Sequence, residues 1–295
     1  MLLADAVSGH PADPAPFTLG IKIKAFPHAT NSASIPPRRM KYFFILILVG
    51  LSLNAFAQDA TAPSVTGTSV APQPLFMLVP GAWGGGWDWK QVDQILTTDG
   101  YKVSRATLTG LGERYHLAST NIDLDTHIND LVNHIIWEDL HNVILVGHSY
   151  GGMVITGVAD RVPDRIKQLI YVDAFVPKDG DSVNTLQTNT TFFVVTNGWA
   201  IGKWMAVNPP PPHDVPMSEK CFSQPIHLIH QAALTNIPTT YILTVDKGAD
   251  PTTDDFYPFY HTALTRGQHV IIMEADHNVQ RSNPRELCEL IESTQ

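Results

Sequence analysis

The chain has 295 residues, 44% of them hydrophobic and 16% charged, and 28 acidic against 19 basic residues give a net charge of −9. This apolar content suits one globular domain with an insertion, or two small ones. The acidic balance leaves no electrostatic case for nucleic acid or an anionic membrane as partner.

The amino terminus differs from the rest. Residues 1–39 are rich in Pro and Ala and lack periodicity, so they read as a non-structural extension. Arg38, Arg39 and Lys41 then supply positive charge ahead of the apolar run YFFILILVGLSLNAFA. A basic segment, an apolar stretch short for a membrane span and the small-x-small triplet Ala55-Phe56-Ala57 describe a signal peptide over residues 40–57. The expectation is export, to the periplasm or the medium, with cleavage after Ala57. Met40 offers an alternative start. Cleavage removes five basic and two acidic residues, which makes the mature chain more acidic. Export permits disulfides, and Cys221 and Cys288 are the two cysteines, either bridged or free. No Cys or His spacing typical of a metal site is present.

Residues 58–74 form a Thr/Ser/Pro/Ala linker, and the body of the protein is expected over residues 75–295. Leu75 to Val79 is a strand, followed by the Gly- and Trp-rich loop Pro80 to Trp87. A helix reaches about Thr98, a second strand covers Lys102 to Leu108, and a helix starts near Asp123 with apolar residues at Leu124, Ile128, Leu131, Val132, Ile135 and Ile136. Val143 to Val146 is a buried strand, and Ile166 to Ala174 another. Residues 177–235 break the rhythm and read as an inserted cap, with an apolar helix near Ile226 to Leu234. Thr239 to Val245 and His269 to Ala275 are strands, residues 254–266 are helical, and Pro284 to Ser293 is a closing helix. This alternation implies an α/β fold: a mostly parallel central sheet covered by helices on both faces, with the working residues at the carboxyl ends of its strands.

The stretch Asn142 to Gly152, NVILVGHSYGG, carries the chemistry. A strand, the sequence Gly147-His148-Ser149-Tyr150-Gly151 and a helix make the context of a nucleophile elbow, G-x-S-x-G. The glycines let a sharp turn close around a strained Ser. Ser149 is therefore the expected nucleophile. Its hydroxyl needs a base, and of thirteen histidines His277 stands apart, one short loop beyond the strand Val270 to Met273. His127, His134 and His141 read as surface or satisfied core residues, and His148 as packing beneath the nucleophile. The acid that orients the imidazole is expected at Asp246, which ends the strand Tyr241 to Val245, with Asp250 and Asp173 as competitors. Two backbone N–H groups should bind the oxyanion, those of Tyr150 and Ala82.

At this point the chain resembles the α/β-hydrolase superfamily, and within it the branch of EstC-like esterases, plant methylesterases and hydroxynitrile lyases. The resemblance rests on LVPGAWGGGWDW, LTGLGERYHL, VILVGHSYGGM, YVDAFVP, TVDKG and EADHNVQRSNPREL, and covers Leu75 to Ile291. It implies the acid at Asp246 in TVDKG and the base at His277 in EADHNVQ. Pro80 departs from the usual His of the oxyanion loop. Asn278 and Ala82 stand where hydroxynitrile lyases carry Lys and Thr, which argues against cyanohydrin cleavage. The resemblance implies a serine hydrolase acting on small carboxylic esters, with no metal or organic cofactor. A lyase, or a binding protein that keeps the triad, are the alternatives. The aromatic cap residues Phe192, Phe193, Trp199 and Trp204 point to an apolar acyl or aryl pocket.

Overall fold

The computed structural model describes residues 74–187 and 191–295. The extension at 1–39, the signal peptide at 40–57 and all of the 58–74 linker except Pro74 lie outside the described residues.

The β-branched and aliphatic runs form a six-stranded sheet. In chain order its strands are β1 (Leu75–Val79), β2 (Lys102–Arg105), β3 (Val143–Ser149), β4 (Ile166–Ala174) and, after an insertion, two more that close it. The insertion holds three short strands, β5 (Phe193–Thr196), β6 (Trp199–Gly202) and β7 (Met217–Ser218). The main sheet resumes with β8 (Thr239–Val245) and β9 (His269–Glu274). Its spatial order is β2-β1-β3-β4-β8-β9, and every pairing is parallel. A parallel sheet must be covered on both faces, and alternate side chains divide between two core layers. Met77, Val79, Val143 and Leu145 face α2 (Leu124–Trp137), α3 (Gly151–Arg161) and α7 (Tyr257–Thr265). Phe76, Leu78, Ile144 and Val146 face α1 (Lys90–Thr98) and α9 (Pro284–Ser293). The two-residue period of a strand produces this division.

Local signals set the helix ends. Asp123 caps α2, its Oδ1 accepting the Thr126 N–H at 2.9 Å, and Pro284 opens α9. The helix α7 starts at Tyr257, three residues later than residues 254–266 predict. The Asp254 carboxylate takes the Phe256 N–H at 2.8 Å and holds the preceding residues in a turn.

Residues 175–238, between β4 and β8, contain β5 to β7 as an antiparallel sheet. With them run the single-turn helices α4 (Val183–Leu186), α5 (Lys220–Ser223) and α6 (Gln231–Leu234). The helix predicted over Ile226 to Leu234 is thus confined to its last turn. Side-chain carboxylates capture the N–H groups a helix would use: Asp179 binds that of Leu228, and Asp160 those of Ile229 and His230. Cys221, in α5, and Cys288, in α9, are both buried and unbonded, and burial pushes each thiol up to about 12. A short helix, α8 (Val279–Ser282), links the loop after β9 to α9. Among the described residues no helix is long and apolar enough to cross a membrane.

Candidate active site

Ser149 ends β3 with φ +52°, in the left-handed region that L-residues avoid. The turn closes because Gly147 and Gly151 touch: a Cβ on Gly147 would lie 2.8 Å from the Gly151 carbonyl oxygen. Such strain, of order 1–3 kcal/mol, persists only where the surroundings over-determine it. One restraint is the side chain that follows. Tyr150 is fully buried, and its hydroxyl lies 2.9 Å from Nδ1 of His127. His127 Nε2 faces the Thr109 carbonyl at 3.0 Å. A carbonyl only accepts, so Nε2 carries the hydrogen and Nδ1 accepts from the tyrosine. Burial lowers the His127 pKa, which keeps the ring in this neutral form. His127 is thereby a satisfied core residue, as its place on α2 predicted.

His277 lies in the loop after β9. Its Nδ1 is 2.5 Å from Oδ2 of Asp173, which is 2% exposed. The ionised carboxylate only accepts, so Nδ1 bears the hydrogen and Nε2 is left with its lone pair. The ring of Phe256 stacks on the imidazole, with centroids 5.1 Å apart and planes 14° apart. Asp173, like Ser149, has a positive φ, +46°. Its second oxygen accepts the Thr244 N–H at 3.1 Å, which ties the carboxylate to the neighbouring strand β8.

The structure thus pairs His277 with Asp173 and not with the expected Asp246. Asp246 is exposed, and its carbonyl closes a turn with the Ala249 N–H at 2.9 Å. The reason is the strand order. Strand β4 lies directly beside β3, so its end, with Ala174 opposite Ser149, abuts the elbow, whereas β8 is one strand further away. Asp250 is also exposed and caps the short turn Pro251–Thr253 through Thr252.

Ser149, His277, Asp173, Ala82 and Tyr150 share the lining of one cavity of about 580 Å³. The N–H of Ala82 has no acceptor among the described residues. The loop that carries Ala82 is tied to the insertion, because Trp83 Nε1–H donates to the Ala200 carbonyl at 3.0 Å and the Val215 N–H to the Trp83 carbonyl at 2.9 Å. Aromatic walls come from both sides. Trp83 packs edge-on against Phe192 and Trp204, at 6.0 and 5.1 Å between centroids, and Phe222 lies 5.3 Å from it. Of the four cap aromatics predicted to line a pocket, Phe192 and Trp204 do so in this cavity. Phe193 belongs to the core, and Trp199 borders a separate small crevice.

The cavity also has a charged corner that the motifs did not announce. Arg281, one turn beyond His277, forms ion pairs with Asp88 and with Asp214, and stacks over Trp87 at 4.5 Å. Asp214 in turn accepts from Trp204 Nε1 at 2.8 Å, so this corner fixes one aromatic wall. Asp254 and Asp255 also line the cavity, and burial raises the Asp254 pKa. The four-residue interval from His277 to Arg281 was the one available sign.

Asp88 is 5% exposed, and its Oδ1 pairs with Arg281. Burial pushes its carboxyl up to about 6; Arg281 draws it back and Asp214 adds to the rise. The folded chain therefore holds this proton more tightly than the unfolded one. The stabilisation from that proton is complete below about pH 4, the ordinary aspartate value, and is lost as pH rises through about 6. The span corresponds to a loss on the order of 3 kcal/mol. Urea unfolding of wild type and Asp88→Asn should show it: the wild-type advantage shrinks between pH 4 and pH 7. A difference that does not change with pH contradicts the assignment.

Among the described residues no three His, Cys, Asp or Glu side chains are grouped to hold a metal ion. Residues 76–290 match the model of the alpha/beta hydrolase family. A carbendazim hydrolyzing esterase of a Nocardioides species is 53% identical over 111 residues, which are 38% of this chain and 46% of that protein. Methylesterase 2 of Arabidopsis thaliana is 28% identical over 126 residues, 42% of this chain and 48% of the relative. The chain thus spans about half the length of the curated relatives it matches. Among solved structures, an extracellular alpha/beta-hydrolase from a Paenibacillus species superimposes with a TM-score of 0.60 at 23% identity, covering 74% of this chain and 98% of that one.

Proposed function

Since the chain belongs to the alpha/beta hydrolase family, we propose that it cleaves small, uncharged carboxylic esters through an acyl-enzyme on Ser149. The observation that carries this reading is the His277–Asp173 pair, which leaves Nε2 of His277 as a lone-pair base in the same cavity as the strained Ser149. In the proposed cycle His277 takes the Ser149 proton as Oγ attacks the ester carbonyl, and Asp173 stabilises the imidazolium. The N–H groups of Ala82 and Tyr150 receive the oxyanion. His277 passes its proton to the leaving alcohol, then draws a proton from the attacking water and returns it to Ser149 Oγ as the acid leaves. No step in this cycle calls for a metal or an organic cofactor.

The substrate class follows from the lining. Trp83, Phe192, Trp204 and Phe222 favour an aryl or apolar group. Five aspartates against Arg281 disfavour an anionic one. The names of the relatives, an esterase acting on carbendazim and a methylesterase, support methyl esters of aromatic acids and carbamates as first substrates.

A panel of p-nitrophenyl acetate, aromatic methyl esters, carbendazim and a carboxylate-bearing p-nitrophenyl ester tests this. Neutral aryl esters should turn over far above a Ser149→Ala control, and the anionic ester at least about tenfold less well, with the gap narrowing at high salt. Binding of the esters without turnover would favour the receptor reading, and release of cyanide from a cyanohydrin would favour the lyase.

A further inference from the structure

His148, between Gly147 and Ser149, is 3% exposed and has no step in the proposed cycle. Its Nε2 lies 2.7 Å from the backbone carbonyl oxygen of His277. The carbonyl accepts, so Nε2 bears the hydrogen. Burial above all holds the His148 pKa well below the usual histidine range, so the ring is neutral. Its Nδ1 accordingly keeps a lone pair, turned toward the Gln280 amide. The ring also lies under the oxyanion loop, because a Cβ on Gly81 would meet His148 Nδ1 at 2.9 Å and the Ser149 Cβ at 3.1 Å. It stands 4.6 Å from the imidazole of His277. One side chain therefore touches the segments that carry the nucleophile, the base and the Ala82 donor.

We propose that His148 is a positioning residue: its Nε2–H···O=C bond to His277 sets the base over the Ser149 hydroxyl. The proposal rests on the serine-hydrolase reading above. The bond from Nδ1 to Asp173 fixes the rotation of the His277 ring but leaves its backbone to the loop. That loop is held at its start, where the Ala275 N–H donates to the Val245 carbonyl at 3.0 Å, and at its end, where the Asn278 carbonyl accepts the Arg281 N–H at 2.8 Å, but neither bond reaches His277 itself. The His148 bond holds the His277 carbonyl itself. It does so from the residue next to the nucleophile, so any movement of one catalytic segment is transmitted to the other. A misplacement of about 1 Å costs on the order of 10² in rate.

The full chain should be compared as wild type, His148→Gln, His148→Asn and His148→Leu. Three quantities are read: kcat and KM on p-nitrophenyl acetate, the melting temperature, and the rate at which a fluorophosphonate probe labels Ser149. Labelling needs only attack of Oγ on phosphorus with loss of fluoride and transfer of the serine proton to His277, so it reports on the pair without any ester. Gln places an amide N–H near the position of Nε2; Asn is too short to reach, and Leu fills space without donating. The expected result is a fall of about 10² in kcat and in labelling rate for Leu and Asn, with KM within about threefold, and recovery to within about tenfold of wild type for Gln. Leu and Asn variants within threefold of wild type, or a Gln variant no better than they are, overturn the proposal. If His148→Leu does not fold, the Gln and Asn pair decides alone. Wild-type protein that the probe does not label overturns the serine-hydrolase reading instead.

Discussion

Replacing Asp173 with asparagine is expected to lower kcat/KM by at least about 10² and toward 10⁴, while Asp246→Asn leaves it within a few-fold of wild type. The argument is one of tautomers. In the native site the Asp173 carboxylate accepts two hydrogen bonds, one from the Thr244 N–H and one from His277 Nδ1. An asparagine can keep the first through its oxygen. Its amide group then presents a donor to Nδ1, which must become an acceptor, and the hydrogen moves to Nε2. The base loses the lone pair it needs and the negative partner of its charged form. Asp246 has no such geometry, since it is exposed in a turn. Asp173 is buried, so melting curves must accompany the rates. The isosteric change keeps the Thr244 bond and should leave a cooperative fold. A folded Asp173→Asn with wild-type turnover, or an inactive Asp246→Asn, would reverse the assignment of the acid.

Ser149→Ala is expected to reduce ester turnover by about 10⁴ or more. In the proposed cycle the hydroxyl forms the covalent intermediate, and the oxyanion donors alone cannot replace it. Stability should change little. Among the described residues the Ser149 side chain makes no hydrogen bond, and alanine meets the same positive φ at a similar cost. Unchanged melting with residual activity within a few-fold of wild type would remove Ser149 from the reaction.

Much of the scaffold was legible because it depends on short-range sterics. The elbow occupies a few consecutive residues, and its glycines, its apolar strand and its helix each constrain the same turn. The acid was not legible by that route. Asp173 and Asp246 both end strands and both precede His277, so chain order treats them alike, and the resemblance of TVDKG favoured Asp246, which the structure does not bring to His277. What separates them is which strand lies beside the elbow, a property of the assembled sheet. A physical cue was nevertheless present. Asp173 sits between the apolar run LIYV and Ala174-Phe175, where an unpaired carboxylate would be costly to bury, so a partner was to be expected. Asp246 is followed by Lys247 and Gly248, an ordinary polar turn. The small antiparallel sheet was missed although Asn197-Gly198 stands between two short apolar runs. Both turn residues have positive φ, +51° and +80°, the geometry that an Asn-Gly pair favours in a two-residue hairpin. The charged corner formed by Asp88, Asp214 and Arg281 gathers three distant segments, and only the interval from His277 to Arg281 hints at it locally.

The insertion between β4 and β8 leaves those two strands paired directly, from Leu169 opposite Thr239 to Val172 opposite Ile242. The sheet therefore treats residues 175–238 as one long closed loop. The entropy of closing such a loop grows only with the logarithm of its length, and a doubling costs about 0.6 kcal/mol. A chain built this way can lengthen, shorten or replace the walls around its cavity at little thermodynamic expense. The strand ends that hold Ser149 and Asp173, and the loop after β9 that holds His277, lie outside that insertion.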